Sequence, residues 1–94
     1  MDLWSRIERF RTLVTEMGLP RDETAYFGVT CPYCGKTDRI YRLEEPSELD
    51  GAPEEYGQMW QEFAKQGELV VCKFCRHLLR LEEGQKAVAL GGDS

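Results

Sequence analysis

Apolar side chains near the start of the chain recur every three or four residues. In the segment DLWSRIERFRTLVTEM the repeat consists of Leu3, Ile7, Phe10, Val14 and Met17. This spacing places these side chains on one face of an α-helix. Gly18 and Pro20 follow the repeat, and both residue types are typical of a helix end. The pattern predicts an amphipathic N-terminal helix over residues 2–18.

Short apolar segments, with alternating polar and apolar residues in RIYRL, predict two β-hairpins farther along the chain. The segments YFGVT and RIYRL flank one turn-rich stretch, ELVVC and HLLRLEE flank another, and KAVAL follows near the C-terminus. A period of two is typical of half-buried strands. The last of these segments has the length of a short edge strand. We therefore expect strands within residues 26–43 and 68–90.

An acidic insertion, residues 44–67, separates the two predicted hairpins. From residue 43 to residue 64 there are seven acidic residues and no basic one. Prolines, a glycine and carboxylates dominate residues 44–53, which predicts a mobile loop with little regular structure. The segment PEEYGQMWQEFAKQG then predicts a short helix, because Pro53 suits a helix start and Gly67 suits a stop.

These elements predict one small α+β domain spanning residues 1–94. A core of this size contributes only a few kcal/mol of net stability, so we expect an additional staple. The first residues carry neither the basic nor the apolar region of a secretion signal, which favours a cytoplasmic protein. No run reaches the roughly 18 apolar residues of a membrane span. The net charge of −5 disfavours bulk attraction to nucleic acid or anionic lipid.

The four cysteines supply the candidate staple. They form two Cys-x-x-Cys pairs: Cys31 with Cys34 and Cys72 with Cys75. In a reducing compartment such pairs are metal ligands or redox groups more often than disulfides. Two cysteines in a tight turn direct both sulfur atoms at one point, and Pro32 and Gly35 suit the backbone of such a turn. Two turns together supply a tetrahedral site of four sulfur ligands.

Four thiolates favour either zinc or iron. We expect one Zn²⁺ ion, and Fe stays open as the alternative. Zinc with four thiolates carries about −2 net charge, and Lys36, Lys73, Arg76 and His77 are near enough in sequence to offset it. Metal binding contributes on the order of 10 kcal/mol in small zinc peptides. Without metal we expect the region around the cysteines to unfold.

The stretches TCPYCGKTDRIYRL and VVCKFCRHLLRL resemble the zinc-ribbon, or rubredoxin-like, class. The resemblance covers residues 26–43 and 68–83, and it implies two knuckles at the tips of two β-hairpins that hold one metal ion. CPYCG followed by Tyr41 is similar to rubredoxins in particular, whereas Arg76 stands where rubredoxins repeat a glycine. Ribbons occur in transcription factors, ribosomal proteins, enzymes and adaptor subunits, so the resemblance indicates metal binding rather than one function.

Catalysis by this chain alone is not expected. A site closed by four cysteines lacks the open position of a catalytic zinc, and His77, the only histidine, is expected to be a neighbour of the site. The favoured function is a protein-interaction module or accessory subunit of a larger complex. Its candidate partner contacts are Trp4, Ile7, Phe10, Val14 and Trp60. The same N-terminal stripe could instead form the core or a homodimer.

Two other functions stay open at this stage. Lys73, Arg76 and Arg80 could contact phosphate, as in a nucleic-acid-binding zinc ribbon in transcription. Tyr33, Tyr41 and Phe74 could stack on bases. An iron-loaded site would make the chain a rubredoxin-like electron carrier. The acidic loop also permits mimicry of nucleic acid.

Overall fold

Two α-helices and four β-strands make up the computed structural model, which describes residues 2–65, 67–83 and 85–90. In chain order these elements are α1 (Leu3–Glu16), β1 (Ile40–Arg42), α2 (Glu54–Ala64), β2 (Glu68–Cys72), β3 (Leu78–Glu82) and β4 (Lys86–Ala89). Neither helix of this part of the chain has the length and apolar character needed to cross a membrane. Two helices and one antiparallel sheet make the fold α+β, the class that the sequence predicts.

The four strands form one antiparallel sheet in the order β1-β2-β3-β4. In this register Tyr41 pairs with Val71, and Val70 pairs with Leu79. β2 is central, and four of its five residues are buried, which explains why ELVVC is an apolar run rather than a clean alternation. β4 lies at the sheet edge beside β3, as the sequence predicts.

The two faces of the sheet support different parts of the molecule. Leu69 and Val71 belong to a core cluster shared with both helices. Val70 and Cys72 belong to a second cluster, together with Cys31. Because successive side chains of a strand point to opposite faces, the sheet separates the helical core from the cysteine side.

Helix α1 begins at a good N-cap and packs inward. The Asp2 side chain accepts a hydrogen bond from Ser5 N at 2.7 Å. Phe10 is fully buried, and its ring centroid lies 5.6 Å from the centroids of both Tyr56 and Phe63 on α2. The amphipathic stripe thus packs against the chain's own second helix and sheet.

The acidic loop is more ordered than its composition predicts. It contains a 3₁₀ turn at Pro46–Glu48, closed by a capping box. Arg42 donates two hydrogen bonds of 2.8 Å to the carboxylate of Glu48. Tyr56 Oη donates to Glu44 O at 2.6 Å. The expectation of little regular structure is therefore wrong for this turn, because partners on β1 and α2 compensate for the poor local propensity.

The first predicted hairpin is much shorter than expected. A single bridge joins Thr30 and Thr37, and the segment YFGVT forms no strand of its own. Gly28 adopts a φ of 78° and its N–H donates to Asp38 Oδ1 at 2.7 Å, so the chain turns where a strand would continue. Before this turn, a hydrogen bond from Tyr26 N to Ile40 O connects the segment to β1.

Candidate metal centre

The four cysteine sulfur atoms form one cluster. All four Sγ atoms lie within 4.8 Å of one another. Cys31 Sγ is 3.5 Å from Cys75 Sγ, and Cys34 Sγ is 3.7 Å from Cys72 Sγ. A tetrahedron with metal–sulfur bonds of about 2.3 Å has edges of about 3.8 Å, whereas a disulfide bond is about 2.0 Å long. The four cysteines are thus free thiols positioned to bind one metal ion.

The first knuckle, residues 31–36, and the second knuckle, residues 72–77, share one backbone pattern. In the first, Cys31 N donates to Lys36 O and Gly35 N donates to Cys31 O, both at 2.9 Å. In the second, Cys72 N donates to His77 O at 3.2 Å and Arg76 N donates to Cys72 O at 2.8 Å. Each knuckle therefore presents its two sulfur atoms in the same way, although the sequences between the cysteines differ.

Both knuckles turn through a residue in the left-handed region. Gly35 has a φ of 75° and Arg76 has a φ of 64°. Glycine adopts this conformation freely, whereas a residue with a side chain is disfavoured there. The second knuckle consequently repeats the geometry of the first at a higher conformational cost.

Backbone amides and burial act in opposite directions on the thiols. A hydrogen bond from Lys36 N–H lowers the pKa of Cys34. Burial raises the pKa of Cys31 and raises that of Cys75 to about 12, against the opposing effect of a hydrogen bond from His77 N–H. A bound cation favours the thiolate form, so metal binding would release protons while the amides stabilise the remaining negative charge.

Side chains of the two knuckles also contact each other in a reciprocal way. His77 stacks on the ring of Tyr33, with ring centroids 3.9 Å apart. Lys36 Nζ lies over the ring of Phe74, 4.8 Å from its centroid. In both contacts the ring comes two residues after the first cysteine of one knuckle, and its partner comes five residues after the first cysteine of the other. The knuckles are thus joined by a pseudo-twofold pair of contacts around the sulfur cluster.

Arg11 is a site residue that the sequence does not reveal. Its Nε donates to Arg76 O at 2.8 Å, and its Nη2 donates to Cys75 O at 3.2 Å. Arg11 lies on the polar side of the α1 pattern, more than sixty residues away in sequence, and no local signal connects it with the cysteines. Only the packing of α1 brings it to the second knuckle.

The predicted partner contacts lie in different environments. Ile7, Phe10 and Val14 are buried in the helical core, and Trp60 is partly buried against it. Trp4 is 59 % exposed. Of this set, Trp4 is therefore the side chain with a large accessible surface.

The predicted phosphate contacts also differ from one another. Lys73 Nζ donates to Asp22 O at 3.0 Å and lies 3.9 Å from the centroid of the Tyr41 ring. Arg80 pairs with Glu82 at 2.9 Å, and its side chain is only 12 % exposed. Within the described residues, four basic side chains near the knuckles form no ion pair with a carboxylate: Lys36, Arg39, Lys73 and Arg76. The structure thus places Lys36 and Arg39 in this group and leaves Arg80 outside it.

Exposed aromatic rings are also found at the knuckles and beside them. Phe74 is 61 % exposed and Tyr33 is 46 % exposed. Phe27, in the turn that precedes the first knuckle, is 88 % exposed. We refer to Tyr33, Phe74, Lys36 and Arg39 as the knuckle surface.

Comparisons of the chain with models of protein families, with curated proteins and with solved structures found no match. The sulfur cluster, which suits zinc and iron alike, and the two equivalent knuckles therefore carry the functional argument.

Proposed function

We propose that this chain is a non-enzymatic binding module whose fold depends on one structural zinc ion, and that it serves as an accessory subunit of a larger complex. The observation that carries the proposal is the cluster of four cysteine sulfur atoms within 4.8 Å of one another, in which the Cys31–Cys75 and Cys34–Cys72 distances of 3.5 and 3.7 Å are close to the edge of a zinc–thiolate tetrahedron. The two equivalent knuckles support the zinc-ribbon class. Free thiols are consistent with a reducing compartment such as the cytoplasm.

The proposal of a structural rather than a catalytic metal rests on the donor set. Four thiolates complete a tetrahedral coordination sphere, whereas catalytic zinc sites keep a position for water or substrate. The one histidine, His77, stacks on Tyr33 instead of joining the sulfur cluster. Burial lowers the pKa of His77, which favours the neutral imidazole in this stack.

Metal analysis of the full chain, purified without air, tests this part of the proposal. We expect one zinc ion per chain, no visible colour, and loss of β-sheet circular dichroism when a strong chelator removes the metal. Iron with sulfur-to-metal absorption would instead support the rubredoxin-like electron carrier. A chain that binds neither metal, or that keeps its spectrum and thermal midpoint after chelation, would contradict a structural metal.

We propose the knuckle surface and Trp4, rather than the whole α1 stripe, as the contacts with a partner. Exposed aromatic side chains and cations are enriched at interfaces. The burial of Ile7, Phe10 and Val14 argues against a homodimer through that stripe. Quantitative affinity purification from the native source can compare the wild type with Tyr33→Ala/Phe74→Ala and with Trp4→Ala, all loaded with zinc. We expect specific partners to be lost in at least one variant; identical partner sets in all three proteins would contradict these contacts.

A nucleic-acid-binding ribbon is the second candidate, and the basic side chains without carboxylate partners favour it. Lys36 lies over the exposed Phe74 ring, and Arg39 and Tyr33 are exposed as well, a combination suited to phosphate contact and base stacking. The net charge of −5 opposes it. Fluorescence anisotropy with labelled fifteen-residue oligo(dT) and oligo(U) tests this candidate. Binding that weakens with salt and is lost in Lys36→Gln/Arg39→Gln, but not in Arg9→Gln, would support it.

A further inference from the structure

Arg11 connects helix α1 with the second knuckle through two successive carbonyl groups. It donates to Arg76 O at 2.8 Å and to Cys75 O at 3.2 Å. Its third guanidinium nitrogen, Nη1, lies 3.7 Å from Glu8 Oε2, which helps to orient the group. A planar guanidinium that bonds two neighbouring carbonyls fixes the direction of both peptide groups. Arg11 therefore holds the turn that immediately follows the last cysteine.

One of these peptide groups also contacts a ligand atom. Arg76 C=O and His77 N–H belong to the same planar peptide unit. That N–H acts on the sulfur of Cys75, where its hydrogen bond lowers the pKa of the thiol. A donor that polarises the carbonyl also makes the N–H of the same peptide unit a stronger hydrogen-bond donor. The polarising effect of the Arg11 hydrogen bond thus reaches the Cys75 thiolate through a single peptide group.

Within the part of the chain that the structure describes, the first knuckle lacks a comparable side-chain donor, and its glycine turn needs less support. Its turn residue is Gly35, which adopts positive φ freely, whereas Arg76 must hold a φ of 64° with a side chain. Within the described residues, no side chain donates to the carbonyls of Cys34 or Gly35. Arg11 therefore supports the knuckle whose backbone is intrinsically less stable.

We propose that Arg11 is a positioning residue of the metal centre and that it couples metal affinity to the docking of helix α1. The inference rests on the proposed metal-binding function. Residues that orient metal ligands without touching the metal typically change its affinity 10- to 100-fold. Because coupling is reciprocal, metal binding must also stabilise the docked position of α1 by the same factor.

The test compares the 94-residue wild-type chain with its Arg11→Met, Arg11→Lys and Arg9→Met variants. Zn²⁺ affinity is measured by competition with a chelator, and the cobalt form gives the sulfur-to-metal absorption band. We expect Arg11→Met to bind zinc about 10- to 100-fold more weakly and to shift the cobalt band, with Arg11→Lys between it and the wild type. Arg9→Met serves as the matched control, because Arg9 lies on the same helix as Arg11 but pairs with Glu55 on α2 instead of with the knuckle. It should keep wild-type affinity.

A variant that only loosens α1 separates positioning from general stability. Leu13 is buried on α1 and its side chain forms no hydrogen bonds, so Leu13→Ala is expected to lower stability while it keeps the Arg11 donors. We expect Leu13→Ala to keep the wild-type cobalt band. We also expect zinc to slow amide hydrogen exchange in α1 more in the wild type than in Arg11→Met.

Equal cobalt bands in Arg11→Met and Leu13→Ala, together with equal losses of zinc affinity at equal loss of thermal stability, would overturn the proposal. So would wild-type affinity in Arg11→Met. Failure of the wild type itself to bind zinc or cobalt would refute the proposed structural metal. The wild-type measurement alone shows this outcome, before any variant is compared.

Discussion

The imidazole of His77 stacks on the ring of Tyr33, with centroids 3.9 Å apart and ring planes 8° apart. This contact joins the second knuckle to the first across the sulfur cluster. Lys36 over Phe74 forms the reciprocal contact. Each knuckle therefore depends on a side chain of the other, in addition to any metal that they share.

The Tyr33–His77 stack should contribute measurably to stability. In the metal-loaded protein, a double-mutant cycle with Tyr33→Ala and His77→Ala should give a coupling energy of about 0.5–1.5 kcal/mol. Tyr33→Phe keeps the ring and should keep most of the coupling. Chemical denaturation at fixed free zinc measures all these free energies of unfolding. A coupling of zero would show that the two rings are neighbours without a net interaction.

The left-handed turns of the two knuckles predict that removing glycine from the first lowers stability and that introducing glycine into the second raises it. Gly35→Ala should lower the free energy of unfolding by about 1 kcal/mol, because φ is 75° and no atom lies near enough to explain a loss by steric overlap. Arg76→Gly should raise it by about 0.5 kcal/mol, since relief of the turn is partly offset by the added freedom of the unfolded chain. Denaturation of the zinc-loaded proteins checks both signs. A less stable Arg76→Gly protein would contradict this account of the second turn.

The buried apolar residues of α1 are predicted to contribute to stability by packing in the core. Phe10→Ala removes a fully buried ring and should cost about 3–5 kcal/mol, a large share of the stability of a small domain. Trp4→Ala, at a site that is 59 % exposed, should change stability by less than about 0.5 kcal/mol. Thermal denaturation distinguishes the two. Similar midpoints for both variants would mean that α1 does not dock as described.

The ionic contact between Glu48 in the acidic loop and Arg42 predicts that the free energy of unfolding depends on pH. Hydrogen bonds from Arg42 lower the pKa of Glu48 from 4.5 to about 2. A lowered pKa in the folded state means that the contribution is present above pH 4.5 and is lost as the pH falls toward 2.

Glu48→Gln removes this contribution while keeping the size of the side chain. The wild type should exceed Glu48→Gln in stability by a constant amount above pH 4.5, and the difference should shrink below that pH. Because acid also protonates the thiolates in both proteins, the comparison is made at each pH rather than along one curve. A difference that is independent of pH would contradict the ionic pairing of Glu48 with Arg42.

Local patterns in the sequence predict several elements correctly. The helix predicted for residues 2–18 is α1 at Leu3–Glu16, because its apolar period and the stop at Gly18 both act within a few residues. The second hairpin and the edge strand also follow from short apolar segments of the chain. The four cysteines predict one cluster because each pair already directs two sulfur atoms at one point.

Contacts between distant residues account for what the sequence does not predict. The acidic loop gains its 3₁₀ turn from Arg42 and Tyr56, which lie on β1 and α2. The first hairpin is shortened by a turn at Gly28 that depends on Asp38. Composition reports the average preference of a segment, and such preferences are weaker than a few well-placed hydrogen bonds from elsewhere in the fold.

The sequence by itself determined the helix periods, the apolar strand segments and the two Cys-x-x-Cys pairs, because these depend on spacing along the chain. Only the tertiary structure decided that the α1 stripe is buried, that Tyr33 meets His77, and that Arg11 reaches the turn after Cys75. Spacing fixes which side chains share a face of one element. Which face meets which is set by the packing of all elements together, and that packing has no signature in any short stretch of the chain.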